Sequence, residues 1–266
     1  MPGAAAGGVE LAAAGVSKAF VTKGGGHLVA LAGIDLEVRS GTFVSLLGPS
    51  GCGKSTLLRI LGGLEQASTG TVAGTGATGA TGGRRAFVFQ DYSLFPWLNV
   101  LDNVAFGLRM DGVGRQERTD RARAWLARVG LAGFESAYPE QLSGGMRQRL
   151  SLARAFVTEP DVLFMDEPMG AVDPQTRLLL QEDLIRIWEE TRKTVLLVTH
   201  SIEEAILLGD RVVVMTARPG RVKLDLPVEL DRPRTLATSA TPAFSELRSL
   251  LWDALRDEVE RSMDLS

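Results

Sequence analysis

The glycine-rich stretch Gly48-Pro49-Ser50-Gly51-Cys52-Gly53-Lys54-Ser55-Thr56 constrains this chain more than any other feature. It follows Phe43-Val44-Ser45-Leu46-Leu47, an apolar run that reads as a buried strand. Leu57, Leu58, Ile60 and Leu61 come next, at spacings that suit the buried face of a helix. Strand, glycine loop, helix is the context in which G-x-x-x-x-G-K-[ST] forms a nucleotide site. Gly48, Gly51 and Gly53 let the backbone turn so that successive N–H groups face one concavity. The positive end of the following helix adds to that field. In such a loop Lys54 reaches the β- and γ-phosphates and the Ser55 hydroxyl ligates Mg²⁺. The pattern points to ATP or GTP and leaves open what is done with it.

A chain of 266 residues has room for one large α/β domain or two lobes, and 45% hydrophobic with 23% charged is ordinary globular composition. A formal charge of −3 argues against a general nucleic-acid binder, which carries a basic face. No apolar run approaches the roughly eighteen residues that cross a bilayer. The start, Met1 to Ala6, lacks the basic and apolar regions of a signal peptide. Cys52 is the only cysteine, which excludes a disulfide framework and a cysteine-based zinc site and points to the cytosol. Inside the phosphate loop its thiol could have a depressed pKa, though a small residue in a tight turn is the simpler reading.

Residues 1–8 are small and are expected to be disordered. Val9 to Val38 predicts two strands around the turn Gly24-Gly25-Gly26-His27, and Ile34-Asp35-Leu36-Glu37-Val38 alternates as a half-buried strand does. Phe20 could be core or could stack on a purine base. Within the Gly/Thr/Ala-rich run 69–83, Gly74-Thr75-Gly76-Ala77-Thr78-Gly79 matches G-x-G-x-x-G. No helix-forming sequence follows it and no acid waits about twenty residues on, so it reads as a surface turn between short strands. Ala86 to Phe89 is a strand ending at Gln90. After Tyr92 to Val100, from about Asn103 to Pro160, the pattern is helical, with Ala122, Trp125 and Val129 on one face, Arg121, Arg123 and Arg128 solvated around it, and a loop at 111–114.

Leu142-Ser143-Gly144-Gly145-Met146 opens another helix. Ser143 is a plausible N-cap, and the glycines leave backbone N–H groups accessible at a positive helix end, a second anion site. Asp161 to Met165 predicts a buried strand delivering Asp166 and Glu167. Adjacent carboxylates at a buried strand end are costly unless a cation or proton is handled there. Asp166 suits Mg²⁺, and Glu167 suits polarising a water that attacks the terminal phosphate. A helix is predicted over 174–191. Thr194 to Val198 is a strand that delivers His200, a candidate to touch the γ-phosphate, and Val212 to Met215 is another. Leu247, Leu250, Leu251, Trp252 and Leu255 predict a terminal amphipathic helix packed on its own domain or on a second copy.

Taken together, these residues resemble the ATP-binding subunit of an ABC transporter, from about Leu11 to Val228. Phe20 matches the adenine-stacking position, Gly48–Thr56 the Walker A loop and Gln90 the Q-loop glutamine. Leu142–Met146 matches the signature motif, Asp166 and Glu167 the Walker B pair, Asp173 the D-loop aspartate and His200 the switch histidine. Met146 departs from the usual Gln, and Gly170-Ala171-Val172-Asp173 from S-A-L-D; neither removes a phosphate ligand. The resemblance implies an α/β fold: a P-loop NTPase (RecA-like) core, an antiparallel β subdomain and an inserted α-helical subdomain. It divides the chain into an ATPase domain over 9–235, with its helical part at about 94–157, and a helical tail over 236–266. It implies ATP and Mg²⁺ as ligands, with Gln90 on the metal beside Ser55 and Asp166. Two copies would pair head to tail, so that Ser143, Gly144, Gly145 and Asp173 serve the partner's nucleotide. Glu167 would be the general base, His200 and Lys54 would hold the γ-phosphate, and Gln90 would link the lobes.

A finer resemblance, in Phe95–Val100, Thr199–Ala205 and Met215–Arg221, is to the nitrate/sulfonate/taurine importer group. It implies a peripheral subunit on the cytoplasmic face of the membrane, a transmembrane permease docked on the helical lobe (about 94–157), and an extracytoplasmic solute-binding protein. The apolar cluster Phe95, Pro96, Trp97, Leu98 and Val100 either meets that permease or packs the lobe internally. Two rival readings are a soluble ABC ATPase acting on DNA or ribosomes and a regulatory subunit without turnover. The first usually carries two cassettes, a coiled-coil insertion or zinc cysteines, none of which occurs here. Intact Glu167 and His200 argue against the second.

Overall fold

The strands that carry the motifs are apolar on both faces, which only a covered parallel sheet accommodates. In the computed structural model, which describes residues 9–22, 24–74 and 83–264, they form one sheet. Its members are β3 (Phe43–Leu47), β5 (Arg85–Val88), β6 (Val162–Asp166), β7 (Thr194–Thr199), β8 (Arg211–Met215) and β9 (Val222–Pro227), in the order β5-β6-β7-β3-β8-β9. All neighbours are parallel except β8 and β9, an antiparallel edge strand that the sequence reading missed. The burial of β9 is only partial, so its apolar signal is weak. A second sheet, order β2-β1-β4, is antiparallel and consists of β1 (Val9–Val21), β2 (His27–Arg39) and β4 (Thr69–Gly74). The β1–β2 turn falls at 24–26, and Ile34, Leu36 and Val38 are buried while Asp35 and Glu37 are exposed, as the alternation predicts. The expectations for residues 1–8 and for residues 75–82, which include most of the G-x-G-x-x-G match at 74–79, lie outside the described residues.

Because successive strand residues face opposite ways, the large sheet feeds two cores. Val44, Leu46, Phe164, Leu196 and Val198 pack with α1 (Lys54–Leu61) and the small sheet. Phe43, Leu163, Met165, Val195 and Leu197 pack with the remaining helices: α2 (Val100–Met110), α3 (Arg115–Arg128), α4 (Gly144–Phe156), α5 (Pro174–Thr191), α6 (Ile202–Leu208) and α7 (Pro242–Asp264). Trp188 anchors α5 by an edge contact to Phe43, with its indole N–H donating to the Lys193 carbonyl at 2.8 Å. On α3, Ala122 and Trp125 are buried as predicted, as is Val129 just beyond it. Arg121 is not merely solvated, because it bonds the Val157 carbonyl and the Glu159 carboxylate at 3.0 Å, tying α3 to the end of α4.

The C-terminal helix packs on its own chain through part of the set expected, with Leu247 lying against the core beside Leu251 and Leu255. Phe244, Leu251 and Leu255 enter the core, whereas Leu250 and Trp252 are about half exposed. A contiguous pair cannot lie on one helix face, and Glu258 takes the next inward position after Leu251 and Leu255. Ahead of α7 the chain is fixed by Arg234, which is buried and donates to the carbonyls of Ile206 at 2.8 Å and Val228 at 3.1 Å. Burial pulls its pKa down to about 10. Leu251→Ala should therefore lower the unfolding free energy by about 2–5 kcal/mol, and Leu250→Ala by no more than about 0.5 kcal/mol, measured by chemical denaturation of the full chain.

Candidate functional site

The phosphate-binding loop links β3 to α1, and its conformation is set by crowding as much as by its own glycines. Gly53 caps α1 at φ 102°. A Cβ there would lie 2.7 Å from Leu31 Cδ2 and 2.9 Å from the Ala30 carbonyl, so the small sheet presses on the loop where only glycine fits. Lys54 is buried, and its Nζ donates to the Gly48 and Pro49 carbonyls at 2.8 and 2.9 Å. The Cys52 side chain is buried beneath the loop, and burial pushes its thiol up despite the Lys54 ammonium nearby. The depressed thiol pKa considered from sequence does not arise. Ser50, Gly51, Gly53, Lys54, Ser55 and Thr56 line one cleft together with Phe20, Leu28, Ala30, Glu167 and Arg218. Phe20 is half buried on β1, its ring 5.0 Å from the Lys18 ammonium.

Parallel pairing brings the end of β6 next to this loop. The Ser55 hydroxyl donates to Asp166 Oδ1 at 2.6 Å, and the Arg59 guanidinium lies 3.7 Å from Oδ2. Among the described residues no group of three or more His, Cys, Asp or Glu could hold a metal. A metal at Ser55 and Asp166 would thus have one hydroxyl, one carboxylate and the oxygens of water and substrate. Mg²⁺ is bound this way beside nucleotide phosphates, so the hard oxygen donors present fit it. Gln90, just past β5, lines an adjoining cleft with Asp166 and Arg59.

Glu167 adopts a left-handed backbone, φ 46°, which is costly for a side chain with a Cβ by roughly 1–2 kcal/mol. Its N–H donates to the Val198 carbonyl and its own carbonyl accepts from Gly170, both at 3.0 Å, so the turn is held from both sides. The result places Glu167 on the Lys54 cleft and also on a small cavity with His200, where Oε2 lies 3.3 Å from Nδ1. His200 is more than half exposed. Behind it Glu204 is buried against Gln181, and burial pushes its carboxyl up, partly offset by the Thr199 hydroxyl and Gln181.

Ser143, Gly144, Gly145 and Asp173 lie outside these clefts. Ser143 is exposed and caps α4, accepting from the Met146 N–H at 3.3 Å. Asp173 caps α5, accepting from the Thr176 N–H at 3.0 Å. The Thr176 backbone N–H and hydroxyl hold its carboxyl below the usual range. The two caps meet, because a Cβ on Gly145 would stand 2.4 Å from Thr176 Cγ2.

Residues 31–170 match the ABC transporter family. The chain belongs to that family. It is 46% identical over 256 residues to an ABC transporter ATP-binding protein of Methanocaldococcus jannaschii, covering 96% of this chain and 94% of that one. A taurine import ATP-binding protein of Burkholderia thailandensis is 46% identical (88% and 93% covered). A nitrate import ATP-binding protein of Synechocystis is 43% identical (92% and 96%). Among solved structures, a dimeric ATP-binding cassette in a post-hydrolysis state with ADP and Pi superposes with a TM-score of 0.73 at 31% identity, covering 83% of this chain and all of that one. The α/β fold expected of a P-loop NTPase is therefore shown, as is membership of the nitrate/sulfonate/taurine group of ABC ATPases.

Two residues of the ABC site region were not singled out from sequence. Arg218 and Glu204 fall within segments that carry the finer resemblance, Met215–Arg221 and Thr199–Ala205, which assigns neither a role; only the packing shows their surroundings. The contact of Gly145 with α5 is also tertiary. Gly145→Ala should destabilise the protein by about 1–3 kcal/mol through overpacking, and adding Thr176→Ser, which removes Cγ2, should recover most of that loss in thermal denaturation.

Proposed function

We propose that this chain is the ATP-hydrolysing subunit of an importer for a small anionic solute of the nitrate, sulfonate or taurine kind. On this reading residues 9–235 form the ATPase domain, with its helical part at about 94–157, and residues 236–266 form the tail. The observation that carries the reading is the placement of Glu167, one carboxylate shared between the Lys54 cleft and His200. In the reaction, water attacks the γ-phosphorus, the bond to the bridging oxygen of the β-phosphate breaks, and ADP and phosphate leave. Glu167 takes the proton of the attacking water, a role worth about 10²–10⁴ in rate. His200 orients that water and the γ-phosphate, and Lys54 and the loop amides offset transition-state charge. Ser55, Asp166 and Gln90 would hold Mg²⁺, which would supply further neutralisation of phosphate charge. Phe20 stacks on the base.

Ser143, Gly144, Gly145 and Asp173 act on the nucleotide of a second copy, an arrangement supported by the dimeric cassettes among the structural neighbours. Their separation from the Lys54 cleft then follows naturally. No described helix is long and apolar enough to cross a membrane. A separate permease, served by an extracytoplasmic solute-binding protein, supplies the path, and this chain sits on its cytoplasmic face. The docking cluster is split: Val100 is buried and Phe95 packs on Phe106, while Trp97 is 71% exposed and is the residue offered to a partner.

Glu167→Gln should bind ATP with affinity near wild type while its phosphate release falls at least about a hundredfold; turnover close to wild type would remove Glu167 as the base. Ser143→Arg should leave nucleotide binding at Lys54 intact and abolish the ATP-dependent dimer, read by light scattering after gel filtration.

A further inference from the structure

The turn after β8, Thr216–Arg221, has no part in the mechanism above, yet hydrogen bonds hold it from the small sheet, from within and from the C-terminal helix. On one side it joins the small sheet: the Gly220 N–H donates to the Ala30 carbonyl at 2.9 Å and the Ala32 N–H to the Gly220 carbonyl at 3.0 Å. Internally, Thr216 N–H donates to the Arg221 carbonyl at 2.9 Å, and Arg221 N–H to Thr216 Oγ1 at 3.0 Å. On the far side it is pinned by the C-terminal helix, where Glu258 Oε2 accepts from the Ala217 N–H at 2.9 Å. Glu258 is 2% exposed, and its other oxygen accepts from Lys223 at 2.8 Å and Arg261 at 3.3 Å. Burial pushes its carboxyl up, but Lys223 and the Ala217 N–H outweigh that and hold it below the usual range. Glu258 is thus an ionised, buried acceptor, and its backbone bond fixes the residue immediately before Arg218.

What the turn holds up is a charge. Arg218 is exposed at the rim of the cleft that Phe20, Lys54 and Glu167 line. Its Nε–H reaches only the Gly51 carbonyl, at 3.4 Å, and a Cβ on Gly51 would meet its Nη2 at 3.2 Å. Among the described residues it makes no ion pair, whereas the neighbouring Lys223 and Arg261 both do. A long bond to one neutral carbonyl leaves most of the five donors of a guanidinium unused, and a planar fork beside a phosphate loop suits phosphate oxygens.

The geometry points to Arg218 as a further nucleotide-contacting residue, a clamp on the polyphosphate from the outer rim of the loop, with Glu258 as its positioning residue. The C-terminal helix thereby takes part in nucleotide affinity. This rests on the nucleotide occupying the Lys54 cleft, and the test separates the two.

The full chain is titrated with a fluorescent ADP analogue in Mg²⁺ at low salt, for wild type, Arg218→Ala, Arg218→Lys, Glu258→Gln and Lys54→Ala, with melting temperatures alongside. Arg218→Ala should weaken binding roughly five- to twentyfold, as loss of a partly exposed charge-assisted bond does. Its melting temperature should be unchanged, its KM for ATP should rise and kcat should change less than twofold, with Arg218→Lys intermediate. Glu258→Gln should weaken binding in the same direction, and should add nothing once Arg218 is Ala. That non-additivity is a readout a merely structural Glu258 would not give. If Lys54→Ala abolishes binding while Arg218→Ala leaves it unchanged, the clamp is overturned and the cleft stands. If Lys54→Ala leaves binding unchanged, the nucleotide is not in this cleft and the inference falls with it. Additive losses from Arg218→Ala and Glu258→Gln would remove Glu258 as the positioning residue.

Discussion

Leu47 pairs with Thr199, and Asp166 with Val198, across three adjacent parallel strands. That register is the constraint on which the site depends. Parallel strands all end in the same direction, so β5, β6, β7, β3 and β8 deliver Gln90, Asp166 with Glu167, His200, the phosphate loop and Arg218 to one edge of one sheet. A ligand at the carboxyl edge of an open α/β sheet is reached by whatever follows each strand. The chemistry is therefore sequence-distant and space-adjacent for a single geometric reason. A one-residue slip would swap which side chains feed each core, so full burial of both faces also protects the alignment of the site.

The small antiparallel sheet has a less obvious part in this. It contributes Phe20, Leu28 and Ala30 to the cleft, and through Ala30 and Leu31 it leaves no room for a side chain at Gly53. The loop conformation is thus set between two layers, β2 above and α1 below, and not by glycine freedom alone. The same strand accepts the Thr216–Arg221 turn at Ala30. Phosphate loop, small sheet and turn form one packed unit, which is why a residue on α7 can act at the rim of the nucleotide cleft.

Most of the architecture was legible in the residues because the strong signals are local. Apolar runs marked β3, β6 and β7, strict alternation marked β2, and the helix expected over 174–191 is α5, whose start the structure shows capped by Asp173. Where the reading failed, the deciding term was tertiary. Leu250 and Trp252 were counted inward on hydrophobicity, but only positions spaced as Leu251, Leu255 and Glu258 face the body, and the last of these is a carboxylate. Hydrophobicity could not have marked Glu258, since its burial is sustained by Lys223 and a backbone N–H that the sequence does not place nearby. Cys52 is the small buried residue of a tight turn that the sequence reading favoured: burial under the loop outweighs the nearby Lys54 ammonium and pushes its thiol up.

Glu167 shows how the site holds a strained residue without loosening. A left-handed glutamate is unfavourable by itself, and the motif alone gives no hint of it. The cost is borne because the residue continues the β6–β7 ladder through Val198 on one side and closes a turn onto Gly170 on the other. Relaxing Glu167 to an ordinary backbone conformation would break a ladder bond next to the buried strand end. The Glu167 backbone is therefore fixed beside the Lys54 cleft and His200 by main-chain hydrogen bonds of the sheet and the turn, while the exposed imidazole contributes nothing to that turn.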